Sequence, residues 1–333
     1  MQTPSTPPRV LISAPDFGRA GDAAFRLLED AGCEIIANPR NATLTEEELL
    51  ALVADADAII AGTEPMTARV LAAAPRLKII ARRGVGLDSV DVEAATARGV
   101  IVTATAGALT DAVADHTLGL ILAVARKIPS FDRMVKAGRW ERALGVDVGG
   151  KTLGIVGFGA IGRAVARRAA GFGMGLLACD VAPDPSAAAA LGVTFCDLPT
   201  LLASSDIVTL HVPLTPTTRH LIDDAALGRM KPTAILINAS RGDVVDEAAL
   251  TRALREGRLA GAGLDVFHDE PVRDVTLVGL ENVVATPHVA SFTRETVARM
   301  ERACAEAVLA VLRGERPSHA VNPEVYERRS PAP

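Results

Sequence analysis

The chain has 333 residues, a net charge of −5, 49% hydrophobic and 23% charged residues. That length exceeds what one hydrophobic core usually organises, so two domains are expected, and the composition is globular rather than disordered. With 3% aromatic residues, a single Trp140, a single Tyr326 and an acidic balance, the material for a nucleic-acid surface is missing.

In chain order, residues 1–8 are proline-rich and polar without an apolar leader core, and residues 328–333 form a similar tail; both are expected to be frayed ends. Apolar, strand-like runs at 9–14, 34–38, 58–62, 77–81 and 100–105 alternate with amphipathic stretches, which implies a parallel sheet with helices on both faces. The apolar stretch 117–124 is too short for a membrane span, which needs about 18 residues or more, and is expected as a buried or dimer-facing helix. A strand at 152–156 leads into Gly157-Phe158-Gly159-Ala160-Ile161-Gly162 and a helix at 161–170. A strand at 175–179 then ends in Asp180. The rhythm resumes at 206–212, 234–239, 261–267 and 282–285, and a C-terminal helix at 293–313 closes the chain. The fold class is therefore α/β with two doubly wound parallel-sheet domains, the second inserted in the first: residues 1–104 and 292–333 against 105–291. Such an insertion implies a cleft between lobes, a common place for ligands.

Cys33, Cys179, Cys196 and Cys304 lie far apart with no C-x-x-C, which fits neither a disulfide framework nor a metal site, and a reducing cytosol is the simplest home. His116, His211, His220, His268 and His319 show no metal-ligand spacing, so no metal is expected.

The run Gly157 to Gly162 stands in the context a dinucleotide site needs, between a strand and a helix. Gly157 makes the tight turn, Gly159 lets backbone approach a pyrophosphate, and Gly162 lets helix and strand close up; the helix N-terminus faces the phosphates. Asp180, 23 residues after Gly157, is placed to accept from both ribose hydroxyls and to repel a 2′-phosphate, so NAD is expected rather than NADP.

Three ionisable residues follow predicted strands of the second unit: Arg241, Glu270 and His288. Ligands of open α/β sheets bind at the carboxyl ends of strands, so all three point to one crevice. Hydride transfer on a hydroxy acid needs a group to move a proton, one to tune it and one to hold an anion. His288 can carry the proton near neutrality, Glu270 can fix its tautomer, and Arg241 can clamp a carboxylate with its guanidinium fork.

The blocks Asn238-Ala239-Ser240-Arg241-Gly242, Gly263-Leu264-Asp265-Val266-Phe267 with Glu270-Pro271, and Thr286-Pro287-His288 resemble the signatures of the D-isomer-specific 2-hydroxyacid dehydrogenases, a likeness extending from about Arg9 to Asn322. The resemblance implies a Rossmann NAD-binding domain inserted in a flavodoxin-like substrate domain, and a homodimer. It implies His288 as general acid/base, Glu270 as its partner, Arg241 as substrate anchor and Asp265 near the nicotinamide amide. Cofactor contacts at Phe158, Ala160, Ile161, His211, Pro213, Ala239 and Ser240 are implied as well. In the turn Arg82-Arg83-Gly84-Val85-Gly86-Leu87-Asp88, the N–H groups of Val85 and Gly86 are implied to hold the substrate carboxylate, in keeping with the anion-binding nests that oriented amides form.

Within the family the chain is most similar to the phosphoglycerate dehydrogenase branch, through residues 82–88, 138–142 and 238–249. There Arg82, and Arg142 reaching across a dimer, are implied to bind a distal phosphate, although the loop 104–109 lacks the asparagine and proline usual in that branch. Serine feedback through a C-terminal regulatory domain is not expected. The sequence reading favours an NAD-dependent enzyme acting on a phosphoglycerate-type D-2-hydroxy acid. Glyoxylate or hydroxypyruvate reduction and phosphonate or phosphite oxidation compete within the class, and an NAD(H)-sensing, corepressor-like binding protein competes from outside it. The expected partner is a small-molecule acid, with neither nucleic acid nor membrane involved.

Overall fold

The computed structural model describes residues 6–40 and 42–328. Of the two ends expected to fray, residues 1–5 and 329–333 lie outside the described residues. Met1–Leu109 with Thr293–Pro333 form one unit and Thr110–Phe292 the other.

In unit 1, β1 (Arg9–Ile12), β2 (Glu34–Ala37), β3 (Ala58–Ala61), β4 (Ile79–Arg82) and β5 (Ile101–Ala104) make an all-parallel sheet in the order β2-β1-β3-β4-β5. Strands β3, β4 and β5 are buried at every position. They therefore read as mostly aliphatic runs, interrupted only by the buried Thr103 and by Arg82 at the end of β4, as strands covered on both faces tend to. The long helix Arg294–Leu312 lies on β3, β4 and β5 and brings the C-terminal segment back to this unit. Asn322 then ties that segment down: it is fully buried, accepts from the Val102 N–H and donates to Thr96 Oγ1 and the Val100 carbonyl.

Unit 2 holds β6 (Thr152–Val156), β7 (Gly175–Cys179), β8 (Val193–Phe195), β9 (Ile207–Leu210), β10 (Ile235–Asn238), β11 (Gly261–Leu264) and β12 (Val283–Ala285). Their order is β12-β11-β10-β9-β6-β7-β8, all parallel, so the winding reverses between β6 and β9. Ligands bind outside the carboxyl ends of strands at such a reversal.

Several expectations shift in detail. Chain crossings fall at Leu109 and Phe292, a few residues beyond those expected. Residues 105–108 stay with unit 1 because the Thr105 N–H donates to the Gly84 carbonyl and Arg299 donates to the Ala108 carbonyl. The helix expected at 117–124 runs over Thr110–Ala125, with Leu118, Leu120 and Ile121 buried. Its polar first turns are held by Arg168, which bridges Asp111 and Asp115. The sequence showed no strand at Val193–Phe195, a three-residue edge too short to carry a periodic signal. Among the described residues, no helix is long and apolar enough to cross a membrane, and no group of three or more His, Cys, Asp or Glu is arranged to hold a metal.

Candidate active site

The dinucleotide loop is built at the reversal point of unit 2. Gly157 has φ +92°, and a Cβ there would stand 2.5 Å from the His211 carbonyl oxygen, so only glycine turns the chain at this point. Gly159 precedes the helix Ala160–Gly171, and nothing lies within 4 Å of where its Cβ would be, which leaves the backbone and the helix N-terminus open to a phosphate. Asp180 backs this loop: one carboxylate oxygen accepts the Phe158 N–H at 2.6 Å and the other the Ala182 N–H at 2.8 Å. Each oxygen keeps acceptor capacity for a ribose hydroxyl. The residues present thus fit a bound dinucleotide.

His211 follows β9, its N–H on the Val156 carbonyl and Nε2 beside Thr209 Oγ1. Burial pushes its pKa down to about 4, so the ring is neutral. Pro213 beyond it is exposed, its carbonyl taken by the Thr218 hydroxyl.

The end of β10 is organised by Asn238, which is 1% exposed. Its Oδ1 accepts from the N–H and the hydroxyl of Ser240, and its Nδ2 donates to the Arg241 carbonyl. This clasp fixes the turn through Ala239 and Ser240 and sends the Arg241 side chain off from a fixed base; one of its guanidinium nitrogens donates to the Ser240 carbonyl. Gly242 follows because a Cβ there would fall 2.0 Å from the Phe267 carbonyl carbon. The loop carrying Arg241 thereby lies directly on the chain leading to Glu270.

His288 Nδ1 and Glu270 Oε2 are 2.7 Å apart, and Glu270 Oε1 accepts the Phe267 N–H at 3.0 Å. The carboxylate is held from behind and the imidazole tautomer is set, with Nδ1–H donated to Glu270 and Nε2 left for chemistry. His288 itself has φ +53°, a left-handed backbone that a non-glycine residue occupies only when its surroundings impose it.

Asp265 imposes it. This residue is fully buried at the end of β11. Its Oδ1 accepts from the Thr286 hydroxyl at 2.5 Å and the Val289 N–H at 2.9 Å, and its Oδ2 accepts from the Ala290 N–H at 2.8 Å. Its main-chain carbonyl accepts the His288 N–H at 2.7 Å. Burial alone would raise the carboxyl pKa; the hydrogen bonds from His116, Thr286, Val289 and Ala290 outweigh it and hold the group below its usual range.

His116 is the residue that sequence reasoning passed over. It projects from the helix Thr110–Ala125, and its Nε2 lies 3.0 Å from Thr286 Oγ1 and 3.4 Å from Asp265 Oδ1. The Thr286 hydroxyl gives its hydrogen to Asp265, so His116 Nε2–H is shared between Thr286 Oγ1 and Asp265 Oδ1. No local motif signals this role, because the partner lies 170 positions away.

In unit 1, Arg82 is 5% exposed and donates to the Arg83 carbonyl at 2.7 Å. Arg83 donates to the Pro15 carbonyl and lies 3.7 Å from the buried carboxylate of Glu301. Beyond them the chain turns through Gly84, and the N–H groups of Val85 and Gly86 meet no acceptor among the described residues. Arg142 belongs to unit 2 and is exposed on the segment after the helix Ile128–Lys136.

Residues 118–290 match the sequence model of the NAD binding domain of D-isomer specific 2-hydroxyacid dehydrogenases. The glyoxylate reductase of Korarchaeum cryptofilum is 49% identical over 295 residues, which cover 86% of this chain and 89% of that protein. The D-3-phosphoglycerate dehydrogenase of Methanocaldococcus jannaschii is 42% identical over 304 residues, 90% of this chain but 57% of that longer protein. The crystal structure of a glyoxylate reductase from Paecilomyes thermophila matches with a TM-score of 0.86 at 30% identity, covering 97% of this chain and 99% of that one.

Proposed function

Because the chain belongs to the D-isomer-specific 2-hydroxyacid dehydrogenase family, as an NAD-dependent enzyme, we propose that it reduces a short, unphosphorylated 2-keto acid of the glyoxylate or hydroxypyruvate kind. His288 is the proton carrier in this reading. The observation that carries the chemistry is the 2.7 Å contact of His288 with Glu270. A doubly positioned imidazole with one nitrogen free is what reversible proton transfer to a carbonyl oxygen requires.

Bound NADH supplies the hydride to the keto carbon. Protonated His288 gives its Nε2 proton to the carbonyl oxygen as the C–H bond forms, and Glu270 stabilises the imidazolium before the transfer. Arg241 stabilises the negative charge developing on that oxygen. Asp180 would take the ribose hydroxyls and the glycine loop the pyrophosphate, with His211 and Pro213 as further cofactor contacts.

The choice of a small acid departs from the phosphoglycerate reading favoured by the motifs alone. Two facts support the change: the glyoxylate reductase likeness covers nearly the whole of both chains, and Arg82 is buried with its guanidinium turned onto the neighbouring carbonyl. We further propose that the protein acts as a homodimer. Among the described residues, five of the ten exposed large hydrophobics, Ile128, Val135, Trp140, Leu144 and Val146, lie within one short stretch. A second copy of the same stretch is the simplest cover for it.

A steady-state NADH assay on a panel of acids tests the substrate reading. Turnover is expected with glyoxylate and hydroxypyruvate. Turnover confined to 3-phosphoglycerate or to a phosphonate overturns it, and tight NADH binding with no turnover on any acid returns the sensor reading.

A further inference from the structure

Two of the four cysteines meet at one corner of the unit 2 sheet. Strands β7 and β8 pair in the register Leu176↔Val193, Leu177↔Thr194 and Ala178↔Phe195. The Cys196 N–H donates to the Ala178 carbonyl at 3.0 Å, which carries the ladder one residue further and sets Cys196 opposite Cys179. In-register residues of neighbouring strands lie about 4.8 Å apart. That separation falls inside the ~4.4–6.8 Å between Cα atoms that a disulfide accepts.

Packing confirms the shared face. Cys179 and Cys196 both lie against one hydrophobic cluster, together with Leu177, whereas Ala178, Val193 and Phe195 belong to the cluster on the opposite face. Both thiols are free and partly exposed.

The same corner supports the cofactor loop. The Cys179 carbonyl accepts the Gly157 N–H at 2.9 Å, and the next residue, Asp180, holds the Phe158 N–H. We propose that Cys179 and Cys196 form a redox-active dithiol that hydrogen peroxide closes to a disulfide, and that closure weakens NADH binding by displacing the corner formed by Cys179 and Asp180. The second clause rests on the NAD site of this unit; the first does not.

The chemistry balances without further reagents. One thiolate attacks the peroxide O–O bond, gaining the hydroxyl of a sulfenic acid and releasing hydroxide. The second thiolate then attacks that sulfur, forming the S–S bond and expelling a second hydroxide. Two thiols thus give up two electrons and two protons, and one peroxide becomes two waters. Burial first, with Asp197 and for Cys179 also Asp180 and Cys196 adding to it, pushes both thiols up. They are mostly protonated at neutral pH, so closure should accelerate as pH rises.

Treatment of the full-length protein with hydrogen peroxide at about pH 8.5, followed by alkylation and peptide mapping, should yield a 179–196 cross-linked peptide that dithiothreitol removes. NADH affinity, read by fluorescence, should fall about fivefold or more on oxidation and recover on reduction. In Cys196→Ser it should not respond to peroxide. Irreversible acids at the two sulfurs with no cross-link overturn the pair, and a cross-link that leaves affinity unchanged overturns the coupling. Reduced protein that fails to bind NADH overturns the cofactor site instead, while the peptide map still decides the dithiol.

Discussion

The hydroxyl of Thr286 and the carboxylate of Asp265 are joined by a 2.5 Å hydrogen bond, and through it the loop presenting His288 is fastened to the end of β11. With the Val289 and Ala290 N–H groups on the same carboxylate, a short stretch of chain is wound around one buried charge. This winding holds His288 at φ +53° and aims its ring at Glu270.

Asp265→Asn should unwind that arrangement, because an amide offers one acceptor oxygen where the loop requires two. Loss of about 2 kcal/mol of stability is expected, with kcat falling further than denaturant unfolding alone accounts for. The carboxyl is held below its unfolded value, so its contribution is present above that value and disappears as pH falls through the folded one. The acid limb of the stability curve should therefore be shallower in Asp265→Asn than in the parent, as pH-dependent urea melts would read.

His288→Gln should lower kcat by about 10²–10⁴-fold while leaving NADH affinity nearly intact. Glu270→Gln should lower kcat less than His288→Gln does, since the amide keeps one of the two acceptor oxygens that now hold the Phe267 N–H and the His288 ring. Steady-state rates across pH, beside fluorescence titration with NADH, separate the two; full turnover in His288→Gln would remove it from proton transfer.

His116→Ala should lower kcat with little change in KM for NADH, at a cost of about 1 kcal/mol in stability for the lost hydrogen bond. His116→Gln retains an N–H donor toward Thr286 and should recover part of the rate. A variant pair in which Ala and Gln behave alike would make His116 a packing residue only.

His268 is raised above its ordinary 6.5 by its hydrogen bond to Asp243 and by that carboxylate's charge. A raised cation contributes its stability fully below the unfolded pKa and loses it as pH rises through the folded one. The ring is 61% exposed, so the effect is small and screened by salt. The Tm difference between the parent and His268→Gln should be largest below pH 6.5 at low salt and shrink as pH rises above it.

Much of this was legible in the chain. The alternation of aliphatic runs with helical stretches yields both parallel sheets, because strands buried on two faces tend to be mostly apolar. The glycine loop, Asp180, Arg241, Glu270 and His288 stand out because their chemistry sits at strand ends. What stayed hidden depends on distance and conformation. Val193–Phe195 is too short to show a period. The polar start of the helix Thr110–Ala125 became helical through Arg168, far along the chain. Nothing local marks His116 as a partner of Thr286, and the internal contacts of Arg82 depend on a turn that only the folded chain reveals.

Asp180 was expected as a sensor of the ribose, yet its two carboxylate oxygens already hold the N–H groups of Phe158 and Ala182. The side chain proposed to receive the ribose thus also braces the loop proposed to cradle the phosphates. A variant seeking to admit a 2′-phosphate by removing this carboxylate also removes a strut. Retargeting the coenzyme here is a problem of rebuilding a scaffold as much as of erasing a charge.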